Sequence, residues 1–203
     1  MNLLESFNKR RRKKRFLKIF GLWGSHAAVN FVLDSPLAKP WEKDVLCLVT
    51  HLQSFETLFT RFTLSEVGLL INRYYELIAE AVMSSEGDVN QFCGPEVIAH
   101  YGLIVPIKEA SIATLAGAFR EIGLTLESEF QVQFGTGLCR GTIIYGSFGS
   151  SRRSAFTGFG PSVVCAQRLS LRNSTFNVCE SANKGVVLAR DDSISVHSHW
   201  SQK

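Results

Sequence analysis

The chain is poor in the features that would assign it to a class at once. Cysteine occurs five times in 203 residues (Cys47, Cys93, Cys139, Cys165 and Cys179), an odd number with no C-x-x-C pair. That scatter argues against a disulfide framework and against a structural zinc module. Most of the five sit inside apolar runs, which predicts buried, reduced thiols in a cytosolic protein. No apolar stretch makes a clean membrane span. Phe16–Leu33 has a suitable length but contains Lys18, His26 and Asn30, whereas a spanning helix needs about 20 mainly apolar residues. No small-residue cleavage site follows a clean apolar core, so no signal peptide is expected. Internal repeats are absent, as are low-complexity tracts other than one basic block.

What is present is an ordinary globular composition, 45% hydrophobic and 20% charged, in a length that suits one domain plus an extension. The charge is uneven. Residues 1–33 hold eight Lys/Arg and a single acid, Glu5, for a net +7, while the other 170 residues sum to −3. Seven bases are consecutive: Lys9, Arg10, Arg11, Arg12, Lys13, Lys14 and Arg15. They precede the apolar run Phe16-Leu17-Lys18-Ile19-Phe20-Gly21-Leu22-Trp23. A basic amphipathic helix of this kind docks to an anionic membrane surface or an acidic partner, each membrane-proximal base contributing about 1 kcal/mol. The plain alternative is a solvated face, or a helix packed on the domain.

Ser35-Pro36-Leu37-Ala38-Lys39-Pro40 interrupts helix and marks a boundary. Val45–Val49 is a short continuous apolar run, expected as a central strand. Ser65 to Met83 carries apolar residues at helical spacing, with Ser65 as N-cap and Ser84–Gly87 as the stop. Val89–Phe92 and Glu96–Tyr101 flank Gly94-Pro95 as a hairpin. Ala110 to Leu126 is a second amphipathic helix. Gln131–Cys139 and Gly141–Tyr145 are expected as two strands, Gly146–Arg153 as a loop, Ser162–Leu171 as a short helix and Gly185–Ala189 as a last strand. The order implies an α+β sheet with helices over one face. The expected organisation is a helical extension at 1–40, a domain at 41–190 and a tail at 191–203, which holds His197-Ser198-His199-Trp200.

Five ordered motifs over residues 45–170 resemble those of the class III nucleotidyl cyclase catalytic domain. Val49-Thr50-His51-Leu52-Gln53-Ser54-Phe55 stands against the family's F-A-D-I-x-G-F, and Leu69-Leu70-Ile71-Asn72-Arg73-Tyr74-Tyr75-Glu76-Leu77 against its L-L-N-x-Y-F-E-x-L. Gly87 to Gly102 follows the pattern G-x-V-x-K-x-x-G-D-x-x-x-A-x-F-G. Gly135, Gly137, Gly141, Gly146 and Gly149 follow its glycine ladder. Phe156–Leu169 follows Y-T-x-x-G-D-x-V-N-x-A-x-R-L. The resemblance implies a ferredoxin-like cyclase-type sheet and head-to-tail pairing of two domains.

The same match sets six positions against the family's functional residues. His51 and Pro95 stand where two aspartates hold two Mg²⁺ ions. Gln91 and Pro161 stand where a lysine and an aspartate or threonine read the base. Val164 stands where an asparagine, and Arg168 where an arginine, stabilises charge at the transferring phosphorus; only Arg168 is retained. The expectation is therefore a pseudoenzyme with no cofactor and no metal, acting as an interaction subunit. It would pair with itself or a protein partner, with no specific nucleic acid, and lie in the cytoplasm or peripherally at a membrane. The alternatives are a nucleotide sensor without turnover and an unconventional cyclase. His51 and His100 could share a transition metal, though two distant histidines are more often incidental. Gly146–Arg153 could cradle an anion, with a glycine-rich hairpin connection as the plainer reading.

Overall fold

A computed structural model describes residues 39–150, 152–172, 177–179, 186–190 and 193–197. The basic block Lys9–Arg15 with its apolar run, and residues 198–200 of the tail, lie outside the described residues.

The described chain opens with strand β1 (Trp41–Leu52), followed by helices α1 (Phe55–Arg61) and α2 (Leu64–Ser84). The hairpin β2 (Asp88–Cys93) and β3 (Glu96–Tyr101) leads to helix α3 (Glu109–Phe130). Strands β4 (Phe134–Gly149) and β5 (Ser154–Phe159) precede helix α4 (Pro161–Ser170). Short strands β6 (Asn177–Cys179), β7 (Val186–Arg190) and β8 (Ser193–His197) follow. The main sheet runs β2-β3-β1-β4-β5, antiparallel throughout, with β6 joining β4 in parallel. β7 and β8 pair as a separate antiparallel hairpin, so strand structure continues past residue 190 to His197.

Alternation along β1 builds two cores, because successive side chains of a strand point to opposite faces. Leu46, Leu48 and Leu52 meet α2 through Val67, Leu70, Tyr74 and Ile78, and α3 through Leu115, Phe119, Ile122 and Leu126. Val45, Cys47 and Val49 face the other way, onto Val163, Ala166 and Leu169 of α4. The two long helices share one face, as expected, and the short helix α4 covers part of the opposite face.

Local sequence explains the element ends. The N-cap of α2 is Thr63, not Ser65. Glu66 N–H donates to Thr63 Oγ1 at 3.4 Å and Thr63 N–H donates to Glu66 Oε2 at 2.8 Å, a reciprocal capping box. α3 extends to Phe130, beyond the expected Leu126, and stops at Gln131 in a left-handed conformation (φ 54°). Arg61 reaches that end and donates to the carbonyls of Phe130 (3.1 Å) and Gln131 (3.2 Å), placing a cation where helix carbonyls are unsatisfied.

The expected break at Arg140 does not occur. Arg140 and Gly141 stay in register with Leu46 and Val45, so β4 is one strand of 16 residues. Gly146–Gly149, expected as loop, continues that strand opposite Ser154–Thr157. The turn itself is confined to 150–153. Ser150 Oγ there accepts from the backbone N–H groups of Arg152 (3.3 Å) and Arg153 (3.2 Å). Those donors therefore serve the hairpin connection, in place of the alternative anion cradle.

The sheet curls enough for its two edges to meet. Asn90, at the bulge of β2, donates to the carbonyl of Phe156 (3.2 Å) and to Tyr145 Oη (3.4 Å), and accepts from Thr157 Oγ1 (2.9 Å). Beneath this bridge lie His100 and Tyr145, their rings in an edge contact with centroids 5.8 Å apart.

Candidate functional site

The site is built where β1 ends, the β2–β3 hairpin turns, and α4 crosses. α4 lies unusually close to the sheet because β4 presents glycine beneath it. A Cβ placed on Gly137 would come 2.0 Å from the Ala166 carbonyl oxygen, and one on Gly135 would come 2.1 Å from that of Ser170. Two glycines of the ladder therefore fix the height of the helix that carries Pro161, Val164, Gln167 and Arg168.

His51 lies near the end of β1 with Glu96 of β3 as its register partner. Its Nδ1 is 3.4 Å from Glu96 Oε1, and both side chains keep about 20% of their surface exposed. Gln167 of α4 donates from Nε2 to the other carboxylate oxygen, Glu96 Oε2, at 3.2 Å. Three elements thus converge on one carboxylate. On the other side of β1, Thr50 Oγ1 and Tyr74 Oη lie 2.6 Å apart, both buried. Tyr74 also donates to the Pro95 carbonyl at 3.3 Å, and burial pushes its phenol well above the usual range.

Pro95 occupies the hairpin turn. Its carbonyl accepts from Leu52 N–H at 2.9 Å as well as from Tyr74, so its one polar atom is engaged in holding hairpin to strand. Gln91 is half-buried in β2, opposite Ile98. Pro161 is exposed at the first turn of α4, where a residue without an N–H suits a helix start. Val164 (47% exposed) and Arg168 point outward from α4, with Leu171 (54% exposed) just past its end.

This donor set does not fit a pair of Mg²⁺ ions. That ion takes oxygen ligands in octahedral geometry; His51 offers nitrogen and Pro95 offers no side-chain donor. Among the described residues no three His, Cys, Asp or Glu side chains form a metal-holding group. His51 and His100 are not brought together either. They sit four register positions apart, opposite Glu96 and Cys47 respectively. Sequence reading missed Glu96 and Gln167. The signal for Glu96 was a carboxylate opening the otherwise apolar run Glu96–Tyr101, directly after the turn; for Gln167 there was none.

Among the described residues Cys47, Cys93, Cys139 and Cys165 form no disulfide. Cys47 and Cys139 are buried, Cys165 is half-buried and Cys93 is exposed. Cys47 donates to Ser162 Oγ at 3.4 Å, and burial pushes its thiol up to about 12.

The architecture is that of the class III adenylyl and guanylyl cyclase domains. The structure superposes on the Pseudomonas aeruginosa adenylyl cyclase CyaB with a TM-score of 0.64 at 14% identity, over 78% of this chain and 93% of that one. It matches the dimeric guanylyl cyclase domain of a fusion protein from Blastocladiella emersonii with a TM-score of 0.58 at 14% identity, over 71% and 83% of the two chains. In sequence it is similar to adenylate cyclase 1 of Rhizobium meliloti, 26% identical over 167 residues. That alignment takes in 76% of this chain but 24% of the relative, so the chain spans about a quarter of that protein's length. No protein-family model matches the chain. Among the described residues no helix is long and apolar enough to cross a membrane.

Proposed function

We propose that this domain is a cyclase-type module without cyclase catalysis, and that it works as an interaction subunit. The observation that carries the reading is the composition of the site: His51, Pro95, Gln91, Pro161 and Val164 at positions where the resemblance calls for metal, base and phosphate ligands. Pro95 lends particular weight, since its carbonyl is committed to Leu52 and Tyr74. Pairing with a second copy or another cyclase-type domain uses the outward face of α4, where Pro161, Val164, Arg168 and Leu171 are exposed. Residues 41–190 form the pairing module. Lys9–Arg15 docks it to an anionic membrane surface or an acidic partner, placing it in the cytoplasm or at the membrane periphery.

Two measurements on the full chain test this. Product analysis with ATP or GTP and Mg²⁺ or Mn²⁺ should give no cyclic nucleotide above a metal-free blank; turnover would end the reading. Sedimentation should show an assembly that Val164→Asp dissociates. A chain that is monomeric and captures no cyclase-type partner would remove the pairing role.

A sensor reading draws on the exposed Arg168 alone. It requires saturable nucleotide binding that weakens in Arg168→Ala, and no binding at millimolar nucleotide would dismiss it.

A further inference from the structure

Gly146 of β4 leaves room for another part of the chain to cross it. A Cβ there would come 2.8 Å from the Cα of Pro40 and 3.0 Å from its Cβ. The chain therefore enters β1 over the side of β4 to which a residue at 146 would point. Alternation along the strand identifies that side. Ile144 and Phe148 share it with Leu138, which is buried in the core beneath α2 and α3. Ile144, however, is 41% exposed, and its register partner Phe159 on β5 is 52% exposed. The rings of Phe148 and Phe159 meet edge-on, with centroids 4.9 Å apart. The three side chains thus form one apolar patch around Gly146, and apolar groups clustered in the open mark interaction surfaces. Glu42, opposite Ile144, and Asp44 are exposed acids along its β1 side, with Arg140 beyond them.

We propose that this patch is the docking site for the chain's own segment Phe16–Trp23, packed in cis on β4 and β5. Delivery, spacing and charge single out this occupant. The described chain begins at Lys39 and crosses the patch at Pro40, so whatever precedes it is brought to this face. Residues 24–38 make a tether of at most about 50 Å. Such a tether raises the local concentration of the segment and favours it over one from a second copy. Phe16, Ile19, Phe20 and Trp23 recur at the i, i+3, i+4, i+7 spacing of a helical apolar stripe. Lys18 and the bases Lys9–Arg15 complement Glu42 and Asp44. Burying the apolar stripe on the sheet leaves Lys9–Arg15 held at the domain surface. The docking depends neither on pairing nor on the absence of catalysis.

The test follows Trp23 in the full chain, with Trp41→Phe and Trp200→Phe removing the other two tryptophans. Docked, Trp23 emits at short wavelength and resists quenching by acrylamide, in the absence of lipid and unchanged on dilution. Phe159→Ser and Ile144→Ser each shift its emission to the red and raise the quenching constant severalfold. Leu124→Ser, at a more exposed apolar residue on α3, changes neither. Circular dichroism checks that each variant folds; should one patch variant fail, the other decides. Free quenching of Trp23 in the chain with an intact patch, or protection kept in the folded patch variants, would overturn the proposal. Protection lost on dilution would assign the patch to a second copy. Protection gained only with anionic vesicles would assign the segment to lipid. Either result also overturns docking in cis.

Discussion

Acid should weaken this domain through one imidazole whose burial is complete. His100 is 1% exposed, and neither ring nitrogen has a hydrogen-bond partner among the described residues. Tyr145 lies against its ring, and its register partners are Cys47 on β1 and Asp88 on β2, the carboxylate that faces it across the hairpin. Burial alone lowers its pKa from 6.5 to about 4, because the charged form cannot be solvated there. As pH falls below 6.5 the unfolded chain takes up a proton that the folded chain refuses until about pH 4. The stabilisation is therefore fully present above 6.5, declines between 6.5 and 4, and is gone below. At 1.36 kcal/mol per unit the shift amounts to about 3 kcal/mol. Urea unfolding followed by circular dichroism at about pH 7.5 and about pH 4.5 measures it, with His100→Leu as the reference. Carboxylates elsewhere titrate alike in both proteins and cancel in the comparison. Because the lower pH, about 4.5, lies just above the folded pKa, the stability lost between the two pH values should be about 2.5 kcal/mol smaller in the variant. An equal loss in both would refute the argument, and would show that Asp88 or water carries the proton's cost.

Gly137→Ala should lower the melting temperature, since its Cβ would meet the Ala166 carbonyl at 2.0 Å and α4 must shift; overpacking of this kind costs about 1–3 kcal/mol. Gly117→Ala, on α3 with nothing within 4 Å of the added carbon, should instead gain about 0.5–1 kcal/mol from helix propensity. Thr63→Ala should cost about 1 kcal/mol through loss of the capping box of α2, measured by the same unfolding curves. Under native conditions a thiol reagent should modify Cys93 rapidly, while Cys47, buried and with its thiol pushed up to about 12, waits for unfolding.

Much of the fold was written in periodicity. The apolar spacing from Val67 to Val82 specified a helix, and the Gly94-Pro95 dipeptide specified a hairpin, because each is set by interactions within a few residues. The glycines of β4 were legible as a pattern, but their purpose was not. Gly135 and Gly137 matter through the carbonyls of Ser170 and Ala166, more than 25 residues away in sequence. The same separation misled the reading of Gly146–Gly149. Glycine suggested loop, whereas pairing with Ser154–Thr157 makes it strand.

The site divides along the same line. Side-chain chemistry at His51, Pro95, Gln91, Pro161 and Val164 is a property of the sequence. That Glu96 stands opposite His51 follows from strand register, and that Gln167 completes the trio follows from where α4 lies on the sheet. Burial of His100 beneath the Asn90 bridge likewise arises from curling of the sheet, which no local pattern encodes. Sequence by itself determined the two long helices, the β2–β3 hairpin and the chemistry each residue can offer, since these depend on neighbours along the chain. Only the tertiary structure decided which of those residues meet and how dry their surroundings are, because register, curl and helix height are set by packing between distant segments.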